Sequence, residues 1–129
     1  MKPRFEVKEV FTHKKRLCVV LLMRWQENWA RTLWDGAIGG QDYCNGYVQV
    51  LEKNKGKHYD DFADKIKTDE LTFSGDLDNI EQQQVPKGTW FLGFDSAHAW
   101  NDMQPESKTF ESVKQRTMKL ADEMVRRRI

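Results

Sequence analysis

Seven consecutive apolar residues, Leu17 to Met23 (L-C-V-V-L-L-M), constrain this chain more than any other feature. The run is far too short to cross a bilayer. Its centre is β-branched, which favours a strand over a helix. A strand with no polar residue on either face must be covered on both, so the run reads as a central strand. Phe5 to Phe11 comes just before it. There Phe5, Val7 and Phe11 recur with a period of two, as on a half-exposed strand. The polar turn His13 to Arg16 lies between the two, so Phe5 to Met23 reads as a β-hairpin.

Three further strands follow from the same logic. Tyr43 to Leu51 alternates, with Tyr47 and Leu51 on one face and Val48 and Val50 on the other. Leu71 to Gly75 is a short strand with Leu71 and Phe73 on one face. Trp90 to Asp95 is the last. Between them lie a basic turn (Lys53 to Lys57), an irregular polar stretch to Asp69, and a polar loop from Asp76 to Lys87. After Pro105 the period changes. Phe110, Val113, Thr117, Leu120, Ala121, Met124 and Val125 form one stripe of an amphipathic helix. Thr109 or Ser107 is placed to cap its start. Arg126, Arg127 and Arg128 fall in its last turn, where positive charge suits the helix dipole; that accounts for the arginine run without a ligand and is favoured over a phosphate-binding tail.

The expected fold is therefore α+β. It is one domain over residues 1–129, a mainly antiparallel sheet of about five strands with a C-terminal amphipathic helix packed on one face. A Trp/Arg-rich insertion occupies about residues 24–42. Its Trp25, Trp29 and Leu33 share a helical spacing, while Asp35-Gly36 and Gly39-Gly40 interrupt any regular element. A chain of 129 residues with 39% hydrophobic content and 12% aromatics can bury a sizeable core. Its 21 basic and 20 acidic residues leave a net charge of +1, which argues against binding nucleic acid through bulk electrostatics. Cys18 and Cys44 sit in apolar runs and form no CxxC, so they read as buried free thiols. With no apolar leader region and no membrane span, the expected location is cytoplasmic.

Chemistry concentrates in W-F-L-G-F-D-S-A-H-A-W-N-D, Trp90 to Asp102. Asp95, His98 and Asp102 follow the end of a strand, a common way to present functional groups. His58, Asp60 and Asp61 form a second cluster. If the sheet joins the two loops, Asp60, Asp61, Asp95 and His98 could hold a divalent metal or run acid–base chemistry near neutrality. The structural alternative is that the carboxylates accept hydrogen bonds from their own turns. Ser96 lies beside His98 and Asp95, but the G-x-S-x-G elbow is absent, as are P-loop, GxGxxG, HExxH and EF-hand patterns. Arg24 and Arg31 with Trp25, Trp29 and Trp34 are the other candidate. That mixture suits a protein hot spot, or stacking on a nucleotide, or core filling.

Four motifs together carry a resemblance: C-N-G-Y-V (44–48), H-Y-D-D-F (58–62), L-T-F-S-G (71–75) and W-F-L-G-F-D-S-A-H-A (90–99). They resemble a group of small uncharacterised proteins encoded by tailed bacteriophages and prophages. That group shows C-G-Y-V, D-Y-D-D, H-G-G-L-T-Y-S and W-W-F-G-F-D-C-A-H-A-G-D, then a C-terminal helix. The resemblance covers roughly residues 3–125, with the Trp-rich segment as an insertion, and the last motif is the most specific. Asp60, Asp61, Thr72, Ser74, Asp95 and His98 match. This chain departs at Lys67 to Glu70, where the group has His-Gly-Gly, at Ser96 in place of Cys, and at Trp100-Asn101 in place of Gly. The serine disfavours a thiol mechanism carried over from the group.

The resemblance implies a phage accessory protein in the host cytoplasm. The first expectation is action by binding, through Asp60, Asp61, Thr72, Ser74, Asp95, His98, Arg24, Arg31 and the three tryptophans. The partner would be a host defence protein or a small nucleotide signal, with no cofactor, membrane or nucleic acid required. The alternative is a small hydrolase of a nucleotide or phosphodiester, metal-assisted in one form, using Asp60, Asp61, Asp95 and His98.

Overall fold

The computed structural model describes residues 5–24 and 42–129. Trp25, Trp29, Arg31 and Trp34 lie outside the described residues, as does the side chain of Asp102. Five strands form one antiparallel sheet: β1 (Phe5–His13), β2 (Arg16–Met23), β3 (Tyr43–Gln49), β4 (Phe73–Gly75) and β5 (Phe91–Asp95). Their spatial order is β1-β2-β3-β5-β4. A five-residue helix, α1 (Ala99–Met103), follows β5, and the long helix α2 (Phe110–Arg127) ends the fold. The expected α+β architecture is the one observed.

The apolar run of β2 is explained by the two layers around it. Cys18 and Val20 join Cys44, Val48, Leu92 and Phe94 beneath α2, which contributes Val113, Leu120, Ala121 and Met124. Val19 and Leu21 face the other way, with Tyr47 and Phe91. That second face is covered by Leu77, Ile80 and Val85. All three come from the segment that reads in sequence as a polar loop. Alternation across β2 therefore serves two cores, which is why no position from Leu17 to Met23 is polar.

Sheet and helix approach closely at Gly46. A Cβ there would overlap Thr117 Oγ1 and stand 2.8 Å from the Phe94 ring. Glycine is required at this point for room, not for backbone freedom. Thr117 is itself fully buried, and its hydroxyl donates to Val113 O at 2.7 Å.

The β1–β2 turn places Lys14 (φ 50°) and Lys15 (φ 67°) in left-handed conformations, the geometry that matches a hairpin's twist. Asp122 on α2 holds this tip, 2.8 Å from His13 Nε2 and 3.1 Å from Lys14 Nζ. The helix N-terminus is capped by Thr109, whose hydroxyl accepts from Ser112 N. Strand boundaries differ from the sequence reading by one or two residues. β3 stops at Gln49 because Leu51 N turns to donate to Ile129 O at 2.8 Å. β4 starts at Phe73, although Thr72 N already donates to Gly93 O at 2.9 Å.

The insertion leaves and rejoins the sheet at one place. Met23 and Tyr43 are register partners of β2 and β3. Arg24 braces the junction, 3.5 Å from Glu6 and 3.7 Å from Asp42.

Candidate functional site

Asp95 ends β5, opposite Asn45 of β3. Its Oδ1 accepts from Ala97 N at 2.9 Å, the two-residue turn that aspartate side chains commonly close. His98 Nε2 stands 3.5 Å from the same oxygen. Both side chains are about a quarter exposed. His98 is also the residue before α1. Asn101 N donates to His98 O at 2.9 Å, and His98 N donates to Asn101 Oδ1 at 3.1 Å. Asn101 is fully buried and passes the network on, Nδ2 donating to Ser107 Oγ at 2.7 Å. The end of β5 is thus a tightly bonded corner.

Ser96 belongs to that corner and not to a nucleophilic site. It is fully buried, and its hydroxyl donates to Cys44 O at 2.6 Å. The thiols are no more reactive. Burial pushes Cys44 up to about 11 and Cys18 up to about 12, and both are free.

The second cluster sits on a 3-10 turn, Tyr59–Phe62, docked on β4. Tyr59 N donates to Ser74 Oγ at 3.1 Å, which accounts for Ser74. His58 Nδ1 accepts from Asp60 N at 3.1 Å, and its ring lies 4.1 Å from that of Tyr59. Asp60 and Asp61 are exposed and adjacent in sequence, yet they border different hollows. Asp60 and Thr72 line one of about 310 Å³ with Asp69 and Glu70. Asp61 lines another of about 370 Å³ among lysines and arginines. Asp95 and His98 border neither. Among the described residues, no three His, Cys, Asp or Glu side chains are placed to hold a metal ion. The expected convergence of Asp60, Asp61, Asp95 and His98 on one metal is therefore not what the described residues form. The sheet holds the two loops on separate supports, β5 for one and the outer edge of β4 for the other.

Arg24, expected to meet a ligand, is instead turned to Glu6 and Asp42 at the mouth of the insertion, with its Nε buried and without a partner.

Two polar groups that sequence reasoning passed over prove central. Arg116 of α2 reaches Asp69, Nη1 donating to Oδ1 at 3.2 Å, and Nη2 donates to Ser107 O at 2.8 Å. Its guanidinium lies 5.1 Å from the Phe94 ring and 5.6 Å from that of Trp100, within cation–π range. Burial raises the Asp69 carboxyl above its ordinary range, and the nearby Arg116 and His98 charges only partly offset that. Glu123 is the second. Burial alone would raise it, but hydrogen bonds from Thr68 Oγ1, Thr68 N and Lys67 N hold it below its ordinary value. Lys67 to Asp69 is thus pinned to α2. No sequence periodicity marks either link, because each joins an irregular segment to a helix far along the chain.

The third feature missed is the basic hollow that Asp61 borders. Lys53, Lys57 and Lys65 meet Arg127 and Arg128 there, over Asn54, Phe62 and Ile129. Arg126 is different: it turns back 3.6 Å from Glu123. The arginine run therefore does more than complement the helix dipole.

No helix among the described residues is long and apolar enough to cross a membrane. The chain matches no family model, no curated protein and no solved structure.

Proposed function

We propose that this chain is a small phage-encoded accessory protein that acts by binding in the host cytoplasm. Its role is to sequester a nucleotide signal or to inhibit a host defence component. The observation that carries this reading is the state of the corner after β5. Ser96 donates to Cys44 O, Asp95 accepts from Ala97 N and Asn101 donates to Ser107 Oγ, so all three brace the corner. Groups so engaged rigidify a surface, and the fully buried Ser96 is not free to attack. The open hollows, by contrast, have the size of small-ligand sites.

The test is a calorimetric screen of the full chain against cyclic and linear nucleotides and purified host defence proteins, with product analysis by chromatography after long incubation. Saturable binding without turnover is the expected result. Steady conversion of any bound nucleotide overturns the reading.

One geometric feature favours the hydrolase alternative, the His98–Asp95 pair at 3.5 Å with both side chains reachable by solvent. In that reading His98 acts as a general base oriented by Asp95. Turnover that disappears in both Asp95→Asn and His98→Ala would establish it, and turnover that survives them would remove it.

A further inference from the structure

We propose that the basic hollow formed by Lys53, Lys57, Lys65, Arg127 and Arg128 binds the phosphate groups of a small phosphorylated ligand. This deepens the binding reading above, on which it rests, by assigning a site and a ligand chemistry.

Three separated segments build the hollow. The 3-10 turn Glu52–Asn54 and its continuation bring Lys53 and Lys57. The turn Tyr59–Phe62 is followed by Lys65, whose N–H donates to Phe62 O at 2.9 Å. The end of α2 brings Arg127 and Arg128. The floor is fixed. Asn54, Phe62 and Ile129 are all buried, and Ile129 O accepts from Leu51 N at 2.8 Å and from Asn54 Nδ2 at 3.3 Å. The backbone segments that carry the five charged side chains are therefore held in fixed relation by a common floor.

The charge is lopsided. Five cations face one carboxylate, Asp61, in a chain whose net charge is only +1. Counting a main-chain carboxylate at Ile129 still leaves five cations to two anions. Lys57 Nζ donates to Asn54 Oδ1 at 3.0 Å, but Lys53, Lys65, Arg127 and Arg128 have no ion-pair partner among the described residues. Like charges lining one hollow repel one another, and an anion placed between them offsets that repulsion. Phosphate suits the set: guanidinium offers a planar fork to two phosphate oxygens, and lysines add point charges.

Arg128 supplies an independent observation. It occupies the residue after α2 at φ 59°, ψ 40°, the left-handed position that helix ends usually give to glycine. Its N–H closes the helix by donating toward Met124 O and Val125 O. An arginine held in a conformation disfavoured for its side chain, and bordering a hollow of four other cations, points to a use for the guanidinium. A small ligand fits better than a nucleic acid backbone, because the hollow is a single depression of about 370 Å³ with a carboxylate in its wall.

The test uses the full chain and inorganic tripolyphosphate as probe, by isothermal titration calorimetry at constant ionic strength. Lys65→Glu/Arg127→Glu and Arg128→Gly are the variants, each checked for its unfolding midpoint. The expected result is saturable binding to one site, weakened at least tenfold by the double charge reversal. Arg128→Gly weakens it several-fold while its unfolding midpoint does not fall. Absence of saturable binding, or equal binding by folded variants, overturns the assignment. So does a single-stranded oligonucleotide that binds more tightly than tripolyphosphate. If the nucleotide or protein found by the earlier screen binds equally well to the double variant, this site is wrong while the binding role stands. If tripolyphosphate binds here and nucleotides are steadily turned over, the site stands and the purely binding role is wrong.

Discussion

Arg116 and Asp69 meet through one oxygen only: Nη1 donates to Oδ1 at 3.2 Å, while Asp69 Oδ2 and Arg116 Nε are buried without a partner. The pair fastens α2 to the segment entering β4, and α2 to the Trp100 ring beyond it. Removing one member of such a pair strands the other charge, which costs about 3–5 kcal/mol, whereas replacing both with apolar groups is nearly neutral. Arg116→Met is therefore expected to lower stability by about 3 kcal/mol in urea unfolding. Arg116→Met with Asp69→Leu should recover most of that loss. Additive losses in the double variant would show that the two residues are not coupled.

The Glu123 carboxylate gives the acid limb of the stability profile a specific source. Its pKa in the folded protein is lowered, so the unfolded chain binds its proton first as pH falls. Its contribution is thus complete above the unfolded value of about 4.3 and is lost as pH drops below that toward the depressed folded value. Glu123→Gln should be less stable than the parent at pH 7, and the gap should narrow on acidification to pH 3. Chemical denaturation at a series of pH values measures this. A gap that stays constant with pH would place the effect in packing instead.

Gly46 and Thr117 set the distance between sheet and helix. Gly46→Ala puts a methyl group against the Thr117 hydroxyl and the Phe94 ring. Overpacking of this kind costs about 1–3 kcal/mol. Thr117→Ala, in the same chain, opens that space and should restore part of the loss. A Gly46→Ala protein as stable as the parent would mean that α2 shifts outward at little cost.

Cys18 and Cys44 should be silent toward thiol reagents in the folded state. Both are buried and both are shifted far above pH 8. Ellman's reagent at pH 8 should report no free thiol on the minutes timescale natively and both thiols in guanidinium. Rapid native labelling of either would contradict the packing around β2 and β3.

The strands were readable because each carries its own pattern. Leu17 to Met23 is apolar throughout since Val20 lies under the helix and Val19 under the opposite cover. The helix was readable because its stripe repeats five times, with Phe110 and Val125 the two of the seven that are only half-buried. What escaped had no period to display. Leu77, Ile80 and Val85 are spaced irregularly among polar residues, yet they close the second core. Helix α1 is only five residues long, too short for a repeat. The paired clusters around Asp60 and Asp95 looked alike on paper. They rest on different strands, and sequence proximity says nothing about which hollow Asp60 or Asp61 borders. The basic hollow needed three segments to be folded together before its charge could be counted.

The Met23–Tyr43 pairing has a consequence for how such a chain can change. Because the insertion departs and returns at facing positions, with Arg24 and Asp42 as its clasp, the sheet's register does not depend on the insertion's length or composition. Doubling a connection of this kind adds only about 0.6 kcal/mol of closure entropy. The scaffold can thus be inherited intact while the segment between the two clasp residues is exchanged wholesale.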